Sequence, residues 1–309
     1  MERSCAKDFG KELGAVHEGL ITLRNLGLTA EGWEKMKDNK ELAKKVVEII
    51  EGEREIWLEK IIAQERACHL DFFGREFDLT DFAVTLKKYG ESKVRFWQKL
   101  KMEPAFLPEV TMPQDANFRG WKIKPENWFW QKIAEGKILR QVGNDLVAIK
   151  EVRLEGITVL IDTRLKPEYN GGKQMYKNDN LLGPTIERLR KAGEIAKYEY
   201  GPQSSRFGVS ADEWENCIKP ALAQKLGLNS NQLRLEHTIE ANIIPQLYPY
   251  MPRKDDGNIN TWVWYEEYFG ARGLRLVGGY SGYGGLASVY CFSSGFHWDF
   301  ESFRPLAVL

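Results

Sequence analysis

The stretch Leu274–Leu309, LRLVGGYSGYGGLASVYCFSSGFHWDFESFRPLAVL, differs from the rest of the chain. From Tyr268 to Phe300 there is no Lys, Glu, Gln or Met. Tyr, Phe, Ser, Gly, Ala, Val, Leu and Arg stand in their place, with Cys, His and Asp near the end. A glycine-rich β region disfavours long charged side chains, which accounts for the missing Lys and Glu. It does not account for the succession of Tyr, Ser and Phe. Tyr290–His297 lacks clean apolar–polar alternation, so aromatic and small polar side chains must occupy both strand faces and a loop. Tyr, Ser and Gly are favoured in adaptable binding loops, where Tyr supplies contact area at low entropic cost. Aromatics also dominate binding hot spots.

The permitted residues share a codon property. AAC or AAT, randomised at its two adenines, encodes every type found from Tyr268 to His297 and cannot encode Lys, Glu, Gln, Met or Trp. Trp298 is the exception before Phe300 and reads as a fixed framework residue. The stretch resembles the C-terminal variable region of target proteins of diversity-generating retroelements. In that family a reverse transcriptase copies a template with errors at adenine and rewrites this end of the gene. The resemblance rests on a Gly-Gly opening, a Gly-Gly-x-Ala-x-Val strand (Gly284, Gly285, Ala287, Val289) and the ending Ser302-Phe303-Arg304-Pro305-Leu306. It implies an α+β protein: a C-type lectin-like ligand-binding domain at 104–309, with its variable region at about 278–303, preceded by a helical region at 1–103.

On this reading the ligand-contacting residues are Tyr280, Tyr283, Ser288, Tyr290, Phe292, Ser293, Ser294, Phe296, His297, Asp299 and Phe300. The rings supply desolvated contact area, while the serines, His297 and Asp299 supply hydrogen bonds. Gly278, Gly279, Gly284 and Gly285 are scaffold, serving positive φ or close strand approach. Trp298, Phe303 and Pro305 are expected in the core. Arg304 is expected as a buried charge tied to carbonyls or a carboxylate. The Glu-Pro-Asn or Gln-Pro-Asp loop of calcium-dependent sugar-binding lectins is absent. The expected ligand is a macromolecule, a protein by the breadth of an open aromatic patch.

Upstream, Lys7–Leu100 reads as helical, with Leu42, Val46, Ile49, Ile50, Trp57, Ile61 and Ile62 near a 3.6 period and a helix entry at Thr29. The stripe is expected to form the core of a small helical bundle. Pro104, Pro108, Pro113 and Pro125 then mark a boundary. Beyond it, Leu146–Ile149, Ile157–Asp162 (ITVLID) and Thr261–Phe269 (TWVWYEEYF) read as strands, the last with Trp262 and Trp264 on one face and Val263 and Tyr265 on the other. Helix signals lie at Pro184–Ala192, stopped by Gly193, and after the capping box Ser210–Glu213. That second helix is kinked or divided at Pro220 and ends on Gly227 with Leu228 folding back.

Composition narrows the function further. Lys+Arg and Asp+Glu both total 44, a balance that disfavours nucleic acid as a partner. No run approaches the ~20 apolar residues of a membrane span, and the N-terminus lacks a signal-peptide pattern, so a cytoplasmic location is expected. Cys5, Cys68, Cys217 and Cys291 form no CxxC pair, and His17, His69, His237 and His297 form no HExxH or HxxxH pair. No cofactor, metal or catalytic residue is expected. One alternative is an enzyme of the formylglycine-generating type, on the same fold, which would need Cys217 and Cys291 as an active pair. Another is a regulatory or assembly protein acting through its N-terminal helices.

Overall fold

The computed structural model describes residues 29, 31, 32, 35, 39–164, 179–249, 260–280 and 285–309. Cys5, His17, the helical expectation for 7–28, Tyr283 and Gly284 lie outside these residues. The chain divides into two compact units, 1–57 and 58–309. In the first, the Thr29 hydroxyl accepts from the Gly32 backbone N–H at 3.1 Å, the bond of a helix N-cap. Helix α1 (Lys40–Phe73) runs across the division at 57/58.

The second unit is mixed α and β. It continues through α2 (Thr80–Tyr89), α3 (Glu91–Lys99), β1 (Met102–Leu107), β2 (Val110–Thr111), α4 (Asn127–Ala134), β3 (Ile138–Val142), β4 (Asp145–Ala148), β5 (Arg153–Leu154) and β6 (Ile157–Asp162). After α5 (Gly183–Ala192) come α6 (Ala211–Glu213), a π-helical turn at Trp214–Ile218, and α7 (Lys219–Leu226). β7 (Leu233–Leu235) and α8 (Thr238–Leu247) precede β8 (Asn260–Phe269), β9 (Ala271–Tyr280), β10 (Val289–Ser293), β11 (Glu301–Phe303) and β12 (Pro305–Val308).

One sheet has the order β1-β6-β12-β7, so the last strand lies against β6. A second has the order β10-β9-β8-β3-β4. There β11 runs parallel to β8 along Trp262–Trp264, and β3 pairs with Tyr268–Phe269 farther along. Between and around the sheets lies the main core, drawing on β1, β6, α8, β8, β9 and β10 through Ala105, Ile161, Ile243, Val263, Leu276 and Val289.

The boundary expected at 103/104 falls inside this unit. Cys68, Phe72 and Phe73 of α1 enter the β-rich core, while the side chains of the expected stripe at Leu42, Val46, Ile49 and Ile50 lie outside the described residues. Glu65 makes the attachment polar as well: its carboxylate accepts from the Phe106 backbone N–H at 2.8 Å and the Tyr248 hydroxyl at 2.5 Å. From α3, the Trp97 indole donates to the Leu226 carbonyl at 3.0 Å.

Local signals set several elements. Gly193 (φ +75°) and Gly227 (φ +63°) end their helices in the left-handed region, and the Leu228 N–H returns to the Ala223 carbonyl at 2.9 Å. Ser210 and Glu213 form the reciprocal capping box. Pro220 has no N–H to continue an α-helical ladder, and the π-turn immediately before it absorbs the interruption.

Candidate ligand-binding surface

Alternation along the strands gives the β8-β9-β10 sheet two different faces. Val263, Tyr265, Leu276, Val289 and Cys291 face the main core. Trp262, Tyr290 and Phe292 stand on the other face. Around them the rings run on without a break. Trp262 stacks on Tyr280 at 5.6 Å between centroids, and Tyr280 on Phe300 at 5.4 Å. Phe300 meets Trp298 at 5.0 Å, and Trp298 stacks on Phe292 at 5.0 Å. Phe292 also contacts Trp262, Tyr290 and Phe296. Trp128 from α4 extends the array, lying 6.2 Å from Tyr290 and 5.3 Å from Phe269. Tyr290 is 51% exposed and Phe296 48%. Tyr280, Phe292, Trp298 and Phe300 are half-buried, and Trp262 is buried beneath them.

Tyr280, Tyr290, Phe292, Ser293, Phe296, His297, Asp299 and Phe300 are therefore brought to one region of the surface, each at least partly exposed. Two expected contact residues are not available. Ser288 is buried, its N–H donating to the Gly285 carbonyl and its own carbonyl lying where a side chain at Gly278 would stand. Ser294 is buried because its N–H donates to the Gly273 carbonyl while its carbonyl accepts from the Asp212 N–H. Trp298 is corrected in the opposite sense. It is half-exposed among the surface rings rather than in the core. The expected Gly284–Val289 strand is also revised, since Gly285–Ala287 forms a 3-10 turn and β10 starts at Val289.

Other scaffold expectations match the geometry. A Cβ at Gly278 would lie 2.2 Å from the Tyr265 hydroxyl, and Gly279 has φ +89°. Phe303, Arg304 and Pro305 are buried. The Arg304 guanidinium donates to the Asp162 and Arg164 carbonyls at 2.7 and 2.6 Å. Trp128, Trp262 and Phe269 are members of the array that the variable-segment reading left out. Trp128 lies outside the composition gap and Trp262 is signalled by the alternation of β8, whereas Phe269, inside the gap, packs against the main core and joins through Trp128.

Main-chain atoms hold the segment. Glu126 takes the Val289 N–H on its carboxylate at 2.7 Å and donates its own N–H to the Ala287 carbonyl. Tyr198 donates its hydroxyl to the Asp299 carbonyl at 2.7 Å, and the Gly208 N–H reaches the Glu301 carbonyl at 3.1 Å. The Tyr198 loop is itself organised by Arg190, whose guanidinium donates to the Ala196, Gln203, Ser205 and Phe207 carbonyls. Burial pulls that guanidinium down to about 10.

His297 is held by its side chain. Its Nε2 lies 3.0 Å from Glu213 Oε2, and this hydrogen bond raises the imidazole above its ordinary value of 6.5 against the opposing effect of burial. Glu213 is correspondingly lowered. A raised histidine contributes its stabilisation fully below the unfolded value, and the contribution is lost as pH rises through the folded one. NMR titration should find His297 above 6.5, and Glu213→Gln, which preserves the capping box, should bring it back down. An unchanged midpoint in the variant would show that the pair does not form in solution.

Cys291 faces the main core, whereas Cys217 sits on the π-turn whose Trp214 packs against Phe303 and whose Glu215 pairs with Arg275. The two thiols are both free, both raised by burial, and lie on opposite sides of the sheet. Among the described residues, no group of three or more His, Cys, Asp or Glu could hold a metal ion, and no helix is long and apolar enough to cross a membrane.

No family model matches the chain, and no curated protein matches it. Two solved structures show a distant likeness, each with 12% identity. The crystal structure of CarF covers 68% of this chain and 99% of its own, with a TM-score of 0.40. The structure of PvdO from Pseudomonas aeruginosa covers 67% of this chain and 95% of its own, with a TM-score of 0.38.

Proposed function

We propose that this is a non-enzymatic binding protein whose C-terminal aromatic surface is a hypervariable paratope, diversified by adenine-directed mutagenesis and displayed on a C-type lectin-like domain. The observation that carries the reading is the way the segment is attached. Glu126, Tyr198, Gly208, Asp212 and Gly273 grip the backbone of residues 287–301 through its N–H and C=O groups. Those groups are the same whatever side chain a codon specifies, so Tyr290, Phe292, Ser293, Phe296 and Asp299 can change without loosening the scaffold. Exposed substitutions of this kind usually alter stability by no more than about 0.5 kcal/mol. The fixed parts are those the fold cannot vary, namely Gly278 against Tyr265, and Arg304 on the Asp162 and Arg164 carbonyls. A broad, half-exposed array of rings suits a protein ligand better than a small molecule held in a cleft.

Deep sequencing of the 3′ end of the gene across the natural population tests this. Substitutions should pile onto the codons of Tyr280, Tyr290, Phe292, Ser293, Phe296, His297, Asp299 and Phe300, arise from adenine positions, and spare Gly278, Trp298 and Arg304. Evenly spread, largely silent variation would overturn the proposal and make the composition gap a constraint of the fold.

A further inference from the structure

The geometry points to a cationic side chain, an arginine or lysine of a partner protein, as the group this surface takes, with Glu301 as its counter-ion. The inference rests on the binding-surface reading above and adds the chemistry of what is bound. Glu301 pairs with Trp262 in the parallel β11–β8 ladder, and paired residues direct their side chains to the same side of the sheet. Its side chain therefore stands on the same face as Trp262, the face that carries the Tyr280, Phe300 and Trp298 rings. It is wholly buried, and among the described residues neither of its oxygens has a hydrogen-bond partner.

Among the described residues, no other buried carboxylate is left this way. Asp162 and Asp179 share Arg206, Glu240 meets Arg234, Glu267 meets Thr238 and His237, and Glu65 meets Tyr248. A buried polar group without a partner calls for an explanation, and a missing ligand is one. The indole N–H of Trp298, beside Glu301 in the chain turn, is buried and unpartnered as well. Ring faces attract cations, more strongly once desolvated, and a carboxylate among them supplies the balancing charge. A neutral donor would hydrogen-bond the carboxyl but bring no charge to the ring faces or the carboxylate.

Burial raises the free carboxyl well above its ordinary value, so pairing with a cation favours the ionised form and displaces the proton wherever the free acid holds one. Glu301 gives up its proton to solvent and pairs, as the carboxylate, with the incoming guanidinium or ammonium. Trp298 and Phe300, half-exposed, are the rings that must swing aside to admit it.

The test titrates the full chain with N-acetyl-arginine amide, N-acetyl-lysine amide and the neutral N-acetyl-citrulline amide. Calorimetry at neutral pH in two buffers of different ionisation enthalpy reads affinity and proton release together. The cationic probes should bind at least about tenfold more tightly than the citrulline probe, with proton release. Glu301→Gln should abolish the preference and the release. Glutamine is isosteric with the neutral acid, so the variant keeps the fold, as an unchanged circular dichroism spectrum will show. Equal binding of charged and neutral probes, or unchanged cation binding by Glu301→Gln, would overturn the inference. If both probe types bind alike and Phe296→Ala weakens both, the surface is still a binding site and the cation assignment alone fails. Absence of any binding also removes the cation assignment, whereas the population sequencing above decides the surface reading by itself.

Discussion

Replacing Asp162 by alanine should destabilise the 58–309 unit by about 3–5 kcal/mol, the range for removing one partner from a buried charge network. Asp162 ends β6 and is fully buried. Its Oδ2 takes Arg206 Nη1 at 2.5 Å, and its Oδ1 takes Arg164 Nη1 and the Arg164 backbone N–H, each at 3.1 Å. Arg206 also reaches Asp179 at 2.5 Å, and Arg304 caps the Asp162 carbonyl. Deleting the carboxylate leaves the Arg206 and Arg164 guanidinium groups with Asp179 as their one shared carboxylate, while Arg304 keeps its two carbonyl partners. For a unit of this size each kcal/mol is about 2–4 °C in Tm, so thermal unfolding should fall by about 6–20 °C. A loss below about 1 kcal/mol would mean that water or Asp179 compensates and that the network does not anchor β6 and β12.

The same residue sets an acid limit. The Arg206 and Arg164 guanidinium groups hold the Asp162 carboxyl well below its ordinary value of 3.8 despite burial, and Asp179 is lowered for the same reason. A lowered carboxylate contributes stability above its unfolded value and loses it as pH falls through the folded one. Acid unfolding by this route therefore begins below about pH 4, and Asp162→Asn should flatten that part of the stability curve.

What could be read in advance was local. The Ser210–Glu213 box, the Gly193 and Gly227 helix ends and the β-branched ITVLID strand each depend on neighbours a few residues away, and all stand in the structure. The sidedness of Trp262 and Val263 follows from a period of two and stands despite register shifts between Asn260 and Val263 and again beyond Trp264. Where the expectation failed, the deciding contact was distant in sequence. Phe72 and Cys68 join a core built from residues up to 306, which no periodicity within α1 can report. Ser288 and Ser294 have the composition of contact residues, yet strand β9 and Asp212 bury them. Trp298 falls outside the variable set because the randomised codon cannot encode it, and as a framework residue it is expected in the core. Stacking on Phe292 and Phe300 places it in the surface instead, where a fixed ring is as useful as a variable one.

Glu301→Leu should stabilise the protein at pH 7 by about 1–3 kcal/mol, the cost of a buried polar group left unsatisfied. The residue lies in β11 between the Trp298 turn and Phe303, on a face of aromatic rings, so an apolar side chain of similar length meets its surroundings better than a carboxyl. Its pH dependence has the sign opposite to that of Asp162. Burial raises the carboxyl well above its ordinary value of 4.5, so between that value and the raised one the native state keeps a proton the unfolded chain releases. Stability then falls as pH rises through this window, by up to about 1.4 kcal/mol per pH unit. Glu301→Leu and Glu301→Gln should both remove that slope, while only the leucine also gains from burying apolar atoms. If denaturant unfolding shows an unchanged slope in both variants, or a loss of more than about 1 kcal/mol in both, Glu301 has a partner in solution. If the gain appears together with loss of arginine binding, the wild type keeps a destabilising acid at a place where only its ligand can satisfy it. That is the exchange of stability for function expected at a binding site.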